Sequence, residues 1–309
     1  MLKSAIGIDV GGTNIKVTRV SERGEVVERI TGPTPPNDIT GKITMILRDI
    51  LKPDVIGIGV GVAGIIDKKR GVVLDSPNIP TLNNSPLKET LEREFSLPVI
   101  VENDANAYAY SEKWAGAGKD FDNFVALTLG TGLGSGAIYK GELFEGAMEA
   151  GHIVVEPNGR SCPCGSFGCL ESYVSGRAIV NKAISLLEEG TQSILRECCN
   201  GNFYKITSEL VYRSALDGDN LSREIFREVG RYLGMSIANL INIFSPEAII
   251  IGGGLIGAWD FFIEELKVEV SKKSLKPLLP VKILKSIFPE EGGSIGAAGL
   301  VFERCLKAT

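Results

Sequence analysis

The sequence lacks the features that define several large classes of protein. It has 1 His in 309 residues, which excludes a metal site built from several imidazoles and a relay between histidines. The uncharged run Val125 to Tyr139 is broken by glycine, threonine and serine, and it is too short to span a membrane. With 33 Lys and Arg against 38 Asp and Glu, the chain has no basic excess for nucleic acid. We therefore expect neither a membrane nor a nucleic acid as a partner.

A disulfide framework and a secretion signal are also missing. Of the 6 Cys, three lie close together at Cys162, Cys164 and Cys169, unlike the spread of cysteines in small secreted proteins. Residues 1–20 read as a strand and a turn with Asp9 inside the apolar stretch, so we identify no signal peptide. These features predict a cytoplasmic protein whose thiols are free or bound to a metal.

The residues that are present predict a globular protein. Hydrophobic residues make up 44% of the chain and charged residues 23%, which is typical of proteins with a substantial core. The length favours about two domains. From a composition break at Gly116–Asp120 we expect an α/β domain over 1–117, completed by the C-terminal helix 295–309. A larger α/β domain with the cysteine cluster is expected over 118–294.

One pattern occurs twice along the chain. In residues 5–20 and again in residues 124–139, an apolar strand runs into a glycine-rich turn and continues as a second strand. The turns are Gly11-Gly12-Thr13 and Gly130-Thr131-Gly132-Leu133-Gly134. A P-loop or a dinucleotide fingerprint needs a helix directly after the glycines, which argues against both. We interpret the two copies as a weak internal repeat of two similar α/β halves.

Further strands and helices alternate along the chain, which favours an α/β fold with mixed sheets. The strongest helix is Ser222–Phe244, whose apolar residues recur at spacings of three and four. The other predicted elements are the strands Glu25–Ile30, Val55–Val60, Pro98–Val101 and Ala248–Ile251 and the helices Ala105–Trp114 and Ile295–Leu306.

Both glycine turns are candidate phosphate sites, because the backbone N–H groups of successive small residues bind anions. Thr13 and Thr131 add a hydroxyl donor to each turn, and Lys16 places a positive charge near the first. Asp9, just before the first turn, is suited to hold Mg²⁺ directly or through water. Gly252-Gly253-Gly254 follows a strand in the same manner. A tight hairpin turn with no ligand explains the glycines equally well.

Polar side chains alternate at the end of the strand Pro98–Val101, in Glu102-Asn103-Asp104-Ala105-Asn106. A carboxylate at a strand end suits a general base, and Asp104 could take a proton from a substrate hydroxyl. An Asp before a helix is also a common N-cap, and Asn103 or Asp104 lies where the cap of the next helix is expected. From this segment alone, the capping interpretation is the stronger of the two.

The single histidine lies close to the cysteine cluster. His152 precedes Cys162, and Cys164 and Cys169 follow in a polar loop rich in glycine. Three thiolates and one imidazole form a closed tetrahedral shell of the kind that holds structural zinc. Such a loop is a poor setting for cysteines that only fill a core. The sequence therefore predicts a zinc site, with unmetallated thiols as the alternative.

Five short motifs occur in a fixed order along the chain. They are Asp9-Val10-Gly11-Gly12-Thr13, Glu102-Asn103-Asp104-Ala105-Asn106, Leu129–Gly134, Glu149-Ala150-Gly151-His152 and Cys162–Glu171. Together they resemble the ROK family (repressors, open reading frames and kinases), which includes bacterial glucokinases. The resemblance extends from residue 5 to the glycine-rich C-terminal helix, nearly the whole chain.

The resemblance implies a fold and an activity. The fold would be two actin-like, ribonuclease-H-like α/β domains around an interdomain cleft. The activity would be ATP-dependent phosphorylation of a hexose, usually at the 6-hydroxyl, with ATP, Mg²⁺ and a structural Zn²⁺ as cofactors. The family favours glucose, with N-acetylmannosamine, N-acetylglucosamine, fructose or mannose as alternatives. Relatives are often homodimers or homotetramers, which is the assembly implied here.

The resemblance also implies residue roles, and Asp104 takes that of the catalytic base. The implied sugar ligands are Gly64, Asn78, Asn103, Asp104, Glu149, His152 and Glu171. The implied ATP-binding residues are Asp9, Gly11, Gly12, Thr13, Lys16, Thr131, Gly132, Gly253 and Gly254. The implied zinc ligands are His152, Cys162, Cys164 and Cys169. The chain departs from the family at Ala63, where relatives often have Pro, so this loop should be less constrained.

Three other functions compete with a kinase. A ROK transcriptional regulator carries an extra N-terminal helix-turn-helix module, whereas here the first hairpin begins at residue 5 and no basic recognition helix is evident. A catalytically silent sugar-binding protein has no need of Asp104, Asp9 and both phosphate turns. Another actin-like ATPase has no need of the cysteine cluster or the Glu149 and Glu171 pair. A hexose kinase is therefore the predicted function.

Overall fold

The structure is a computed structural model that describes residues 2–76, 78–288 and 290–306. Strands and helices alternate along these residues. The strands are β1 (Ser4–Val10), β2 (Asn14–Ser21), β3 (Val26–Pro33), β4 (Val55–Val62), β5 (Ile65–Asp67), β6 (Val72–Asp75), β7 (Val99–Asn103), β8 (Phe124–Leu129), β9 (Leu133–Tyr139), β10 (Glu142–Leu143), β11 (Ala248–Gly252) and β12 (Lys282–Lys285). The helices are α1 (Ile39–Ile50), α2 (Leu87–Phe95), α3 (Asp104–Ala115), α4 (Glu171–Val174), α5 (Gly176–Glu188), α6 (Leu195–Cys198), α7 (Ser208–Leu216), α8 (Asn220–Phe244), α9 (Trp259–Lys273) and α10 (Gly292–Leu306).

The chain divides into two compact units. Unit 1 takes in the described residues up to Ala126, Gly136–Gly146 and the described residues from Ser286 onward. Unit 2 takes in Leu127–Ser135 and Ala147–Lys285. The chain changes unit within β8 and within β9, the two strands that flank the second glycine turn.

Two five-stranded sheets share one strand order. The first runs β3-β2-β1-β4-β7, and the second runs β10-β9-β8-β11-β12. In the first sheet, β1 and β4, and β4 and β7, pair in parallel, whereas β2 is antiparallel to both β1 and β3. The predicted α/β fold with mixed sheets is confirmed, and the repeat extends from one hairpin to a whole sheet.

Glycines allow α10 to lie directly on the first sheet. A Cβ on Gly7 of β1 would lie 1.8 Å from the Ser294 carbonyl oxygen, and one on Gly59 of β4 would lie 1.9 Å from the Ala297 carbonyl oxygen. Neither sheet position tolerates a side chain while the helix stays in place. Ile295, Ala298, Val301 and Phe302 of α10 complete a core with Ala5 and Val20 of the sheet. The predicted C-terminal helix therefore belongs to the core of unit 1.

Helix α8 has the apolar face that its sequence predicts. Ile225, Val229, Leu233, Ile237 and Ile241 are all buried. Ser245 ends the helix in the left-handed conformation, and Pro246 follows it. Among the helices in the described part of the chain, none is both long enough and apolar enough to cross a membrane.

Candidate active site

Three parallel strands of the first sheet end side by side. Val10 of β1 lies opposite Val62 of β4, and Val62 lies opposite Asn103 of β7. The segments that follow these strands carry the first glycine turn, the loop with Gly64 and the turn with Asp104. Ligands of α/β sheets bind outside the carboxyl ends of parallel strands. The strand register therefore brings three of the predicted site segments to one edge of the sheet.

In the turn between β7 and α3, the cap of the helix and the candidate general base are two different residues. Asn103 caps α3, because its Oδ1 accepts the N–H groups of Ala105 at 2.9 Å and Asn106 at 3.1 Å. Its Nδ2 donates to the Gly64 carbonyl at 3.1 Å and so ties the turn to the neighbouring loop. Asp104 is half-buried and is the first residue of the helix. The interpretation of Asp104 as the helix cap is therefore wrong.

The loop after β4 requires glycine at Gly64. Its φ is +127°, and a Cβ there would lie 2.2 Å from a carbonyl oxygen of β6. The Ser76 hydroxyl donates to the Ala63 carbonyl at 2.6 Å and closes the loop. Farther along, the Asn78 carbonyl oxygen lies 3.4 Å from the position that a Cβ on Gly12 would take. Two predicted sugar ligands, Gly64 and Asn78, thus lie beside the Asp104 turn and the first glycine turn respectively.

The first glycine turn is closed mainly by its own backbone. The Gly11 N–H donates to the Asn14 carbonyl at 3.0 Å, and the Thr34 hydroxyl donates to the Gly11 carbonyl at 2.6 Å. Gly12 and Thr13 are exposed at the tip of the turn. An exposed tip of small residues is what a phosphate group would require here.

Asp9 and Lys16 lie opposite each other on β1 and β2, next to this turn. Burial raises the pKa of the Asp9 carboxyl to about 7, the Asp104 carboxylate adds to the rise, and Lys16 opposes it. The carboxyl packs against Gly293, where a Cβ would lie 2.9 Å from its Cγ. Lys16 Nζ donates to the Glu290 carbonyl at 2.8 Å, which holds its charge beside the turn. Asp104 is therefore close enough to Asp9 to affect the ionisation of the Asp9 carboxyl.

The second glycine turn is held by a carboxylate. Glu171 Oε2 accepts the Leu133 N–H at 2.9 Å and lies 2.5 Å from the position of a Cβ on Gly132. The Gly130 N–H donates to the Gly132 carbonyl at 3.0 Å, and the Gly130 carbonyl accepts the Gly176 N–H at 2.8 Å. Glycine at position 132 is thus what lets the Glu171 side chain reach the backbone of the turn.

A third glycine segment lies against the strand that leads into the second turn. Gly253 has a φ of +88°, and a Cβ there would lie 2.4 Å from the Leu129 carbonyl oxygen. The position of a Cβ on Gly254 has open space within 4 Å. Thr131 is exposed in the turn itself. The predicted ATP-binding residues of unit 2 therefore share the end of β8.

The segment that carries Glu149 and His152 is fastened to β9. The Ala150 N–H donates to the Ser135 Oγ at 2.9 Å, and the Ser135 hydroxyl donates to the Met148 carbonyl. Glu149 and His152 are themselves exposed. The buried serine fixes the backbone, so the two predicted sugar ligands project from a held segment.

Four ligand atoms of unit 2 converge on one point. The His152 ring and the sulfurs of Cys162, Cys164 and Cys169 all lie within 4.8 Å of one another. Cys162 Sγ lies 3.8 Å from His152 Nδ1, and the Cys164 and Cys169 sulfurs are 3.7 Å apart. In a tetrahedron with zinc–sulfur bonds of about 2.3 Å, neighbouring ligands are about 3.8 Å apart. The donor set and its spacing therefore fit zinc.

The thiols of this cluster are not ordinary buried cysteines. Burial raises the pKa of the Cys169 thiol, and the neighbouring Cys164 and Cys162 sulfurs raise it further. The Ser166 N–H is the main cause of a lowered pKa at Cys164. Three sulfurs packed together in this way suit a cation, because the metal offsets the charge that the thiolates would otherwise hold alone.

Comparison with known proteins decides the family. The model of the ROK family matches residues 5–304. The chain belongs to the ROK family. A glucokinase of Thermotoga maritima is 36% identical over 97% of both chains, and a xylose repressor of Caldicellulosiruptor bescii is 32% identical over 98% of this chain and 79% of its own. The crystal structure of a ROK family glucokinase from Streptomyces griseus in complex with glucose and AMPPNP is 35% identical, with a TM-score of 0.86 over 96% of this chain and 98% of that one.

Two side chains of this ROK protein contact proposed site residues without any signal in the sequence. Arg177 Nη2 lies 3.8 Å from Glu171 Oε1, opposite the oxygen that holds the second glycine turn. Glu102 is one of the alternating polar residues of the second motif. It is fully buried and contacts two cations. No local spacing in the sequence predicts either contact.

Proposed function

We propose that this protein is an ATP-dependent hexose kinase that phosphorylates the sugar 6-hydroxyl, with glucose as the first candidate substrate. The observation that carries the proposal is the position of Asp104, which begins α3 at the sheet edge while Asn103 serves as the helix cap. A carboxylate at this place suits the acceptance of a hydroxyl proton. The glucokinases of T. maritima and S. griseus support both the reaction and the sugar.

In this proposal the protein mainly positions the reactants, because phosphoryl transfer demands little covalent chemistry of an enzyme. Asp104 orients the 6-hydroxyl and accepts its proton as the oxygen forms its bond to the γ-phosphorus. The bond from that phosphorus to the β–γ bridging oxygen breaks, and ADP leaves with the electron pair. N–H groups of Gly11-Gly12-Thr13 and of the turn with Thr131 and Gly132 donate to phosphate oxygens.

Asp9 is the residue that would hold Mg²⁺, directly or through water, next to the charge of Lys16. The ion supplies charge neutralisation at the β- and γ-phosphates when it is bound. The residues fit this role, since Asp9 is a carboxyl whose pKa is raised to about 7 by burial and by the nearby Asp104. A divalent cation offsets the cost of two carboxylates in one place. Gly253 and Gly254 are assigned to the adenosine.

The proposed sugar ligands are Gly64, Asn78, Asn103, Asp104, Glu149, His152 and Glu171. Asn103 and Glu171 also have structural contacts, since Asn103 caps α3 and Glu171 supports the second glycine turn. These two side chains are thus fixed before a sugar binds, which lowers the entropy lost on binding.

His152, Cys162, Cys164 and Cys169 would hold Zn²⁺, which supplies a structural cross-link when bound. His152 Nδ1 is the nitrogen nearest to Cys162 Sγ, at 3.8 Å. Ligation through Nδ1 would leave Nε2 to face a sugar hydroxyl in a fixed direction. Because Glu149 precedes the loop and Glu171 follows it, one cross-link would hold three sugar ligands. We further propose a cytoplasmic homodimer or homotetramer that acts on small molecules and not on nucleic acid.

The test is a coupled assay of ADP release with and without a panel of hexoses, on protein whose zinc content is measured. The panel contains glucose, mannose, fructose, N-acetylglucosamine and N-acetylmannosamine. We expect glucose-dependent ADP release and about one zinc per chain. Sugar binding without ADP release would favour a silent binding protein, a possibility that the similarity to a xylose repressor makes worth testing. ADP release that ignores the sugar would favour another actin-like ATPase.

A further inference from the structure

A fully buried carboxylate lies directly before the turn between β7 and α3, which carries the proposed base Asp104 and is called the catalytic turn below. Glu102 is the next-to-last residue of β7, and its side chain is 1% exposed. Its Oε1 accepts the Asn103 N–H at 3.0 Å and the Asn106 side-chain amide at 3.1 Å. The same oxygen lies 2.9 Å from Lys68 Nζ, while Oε2 lies 3.3 Å from Arg304 Nη2. Two amides and two cations therefore meet on one carboxylate in unit 1.

These contacts come from separate parts of the chain. Lys68 directly follows β5, in the hairpin that precedes Asn78, and Arg304 lies in the last turn of α10. The Lys68 side chain is 22% exposed and the Arg304 side chain is 35% exposed, whereas the Lys68 Nζ atom that faces Glu102 is itself buried. One carboxylate thus links the β5–β6 hairpin and the C-terminal helix α10 to the segment that holds Asp104.

Burial of the Glu102 carboxylate is unfavourable for the stability of the fold, which suggests a role other than stabilisation. Removing a carboxylate from water is unfavourable, and an ion pair offsets this only when the remaining lone pairs are hydrogen-bonded, as they are here. Apolar residues often serve stability as well or better at such a place. A buried charged group favours a single geometry of the catalytic turn. Any shift of the turn would break hydrogen bonds and ion pairs of the carboxylate, and water does not reach the buried group to replace them.

We infer that Glu102 is a positioning residue, which fixes the catalytic turn relative to the β5–β6 hairpin that leads to Asn78. It acts through two neighbours. Its bond to the Asn103 N–H sets the residue that caps α3 and holds the Gly64 carbonyl, and its ion pair with Lys68 sets the hairpin that leads to Asn78. The inference rests on the proposed kinase function, because Asp104 and Asn78 matter only if a sugar binds there.

The test compares Glu102→Gln with Glu145→Gln. The glutamine keeps an oxygen for the two amides but removes the charge that Lys68 and Arg304 face. Glu145 is the matched control, because it is the second acid near Lys68, at 3.6 Å, and its side chain is 75% exposed. We expect Glu102→Gln to lower kcat by about 10–100-fold, as misplacement of a reacting group by about 1 Å does. The KM for hexose should rise by about 5-fold or more, with the KM for ATP within about 2-fold.

The two Michaelis constants separate positioning from a merely structural role. A loss of folded protein lowers the measured kcat and leaves both KM values as they were. A folded Glu102→Gln protein with the constants of Glu145→Gln would overturn the inference. If Glu102→Gln does not fold, Lys68→Met decides, since it leaves Glu102 paired with Arg304. A raised hexose KM in Lys68→Met supports the inference, and an unchanged one overturns it.

Hexose binding and phosphorylation by the wild-type protein distinguish a failure of the inference about Glu102 from a failure of the proposed kinase function. If it phosphorylates a hexose and both variants match Glu145→Gln, only the inference about Glu102 fails. If it binds a hexose without turnover, the kinase proposal fails, and hexose affinity measured by calorimetry on the same variants decides the inference. If it neither binds nor phosphorylates any hexose of the panel, both fail together.

Discussion

The two glycine turns of this protein are similar in sequence and are held by different means. The first, Gly11-Gly12-Thr13, is closed by a backbone bond from Gly11 to Asn14 and by the Thr34 hydroxyl. The second also has a backbone bond, from Gly130 to Gly132, and in addition Glu171 accepts the Leu133 N–H across 38 positions of sequence. Both hairpins therefore keep a turn with a backbone bond, while the side chain that supports the turn is a hydroxyl in one and a carboxylate in the other.

The same contrast runs through the site residues of the two units. In unit 1 they follow the ends of β1, β4 and β7, where the strand register fixes them. In unit 2, Glu149, His152 and Glu171 flank the loop that carries the three cysteines of the cluster. The loss of the Asp104 carboxylate in unit 1 should thus alter the chemical step, and the loss of the cysteine cluster in unit 2 should alter ligand binding. The expected effects are ordered below from the largest to the smallest.

The largest effect is expected at Asp104 in unit 1. Asp104→Asn removes the proton acceptor but keeps the shape, so kcat should fall by about 10²–10⁴-fold while glucose affinity stays within about 3-fold. Steady-state kinetics and calorimetry of glucose binding measure the two quantities. Asp120→Asn, at an exposed aspartate, is the matched control. Near-normal turnover in Asp104→Asn would show that this carboxylate is not the base.

Removal of the metal should affect unit 2 first. Stripping zinc with a chelator, or the change Cys169→Ser, should weaken glucose binding by about 10–100-fold, because the flanks with His152 and Glu171 lose their cross-link. Circular dichroism should still report a folded chain, since the sheets do not depend on the loop. Cys198→Ser is the control, an exposed cysteine outside the cluster. Full glucose affinity in folded, metal-free protein would contradict this account.

A smaller effect distinguishes the supports of the two turns. Glu171→Ala leaves the Leu133 N–H without its acceptor, so the KM for ATP should rise by about 5–10-fold. Glu171→Gln keeps an acceptor oxygen and should stay within about 2-fold of the wild-type KM for ATP. Thr34→Val removes the hydrogen bond from the Thr34 hydroxyl to the Gly11 carbonyl at the first turn. The Gly11–Asn14 bond remains there, so the KM for ATP should change little. Equal effects of Glu171→Ala and Thr34→Val would remove the contrast between the turns.

The smallest effect is a pH dependence confined to unit 1. The pKa of Asp9 rises from 3.8 to about 7 on folding, so the folded chain binds the proton more tightly than the unfolded chain between these values. The free energy of unfolding should therefore fall by about 1–2 kcal/mol from pH 5 to pH 7 through this group. Asp9→Asn should lack this component in urea unfolding without ligands. The same slope in both proteins would show that Asp9 is not the source.

The sequence predicts the parts of this structure that depend on neighbours along the chain. The strands of both hairpins, the helices α3, α8 and α10 and the cysteine cluster follow from local spacing. The family was also identified from the order of five motifs, and the family model confirms it. Whether Asn103 or Asp104 caps α3 stayed open, because either residue suits that position and only the backbone geometry distinguishes them.

The sequence does not predict contacts that depend on the packing of distant segments. Lys68 and Arg304 reach Glu102 from 34 and 202 positions away, through a hairpin and a helix that pack independently. The support of the second turn by Glu171 depends likewise on how α4 lies against β9. The periodicity of apolar residues along the chain does not indicate which distant side chains come into contact. These contacts between distant segments determine which polar residue of a motif contacts the substrate and which one only positions a neighbouring residue.

The most direct test of the division between the units is calorimetric titration of glucose into two altered proteins under one condition. One is Asp104→Asn with its zinc in place, and the other is the wild type stripped of zinc. The account predicts that Asp104→Asn binds glucose almost as the wild type does, while the stripped protein binds it at least about 10-fold more weakly. Strong binding by the stripped protein together with weak binding by Asp104→Asn would contradict it.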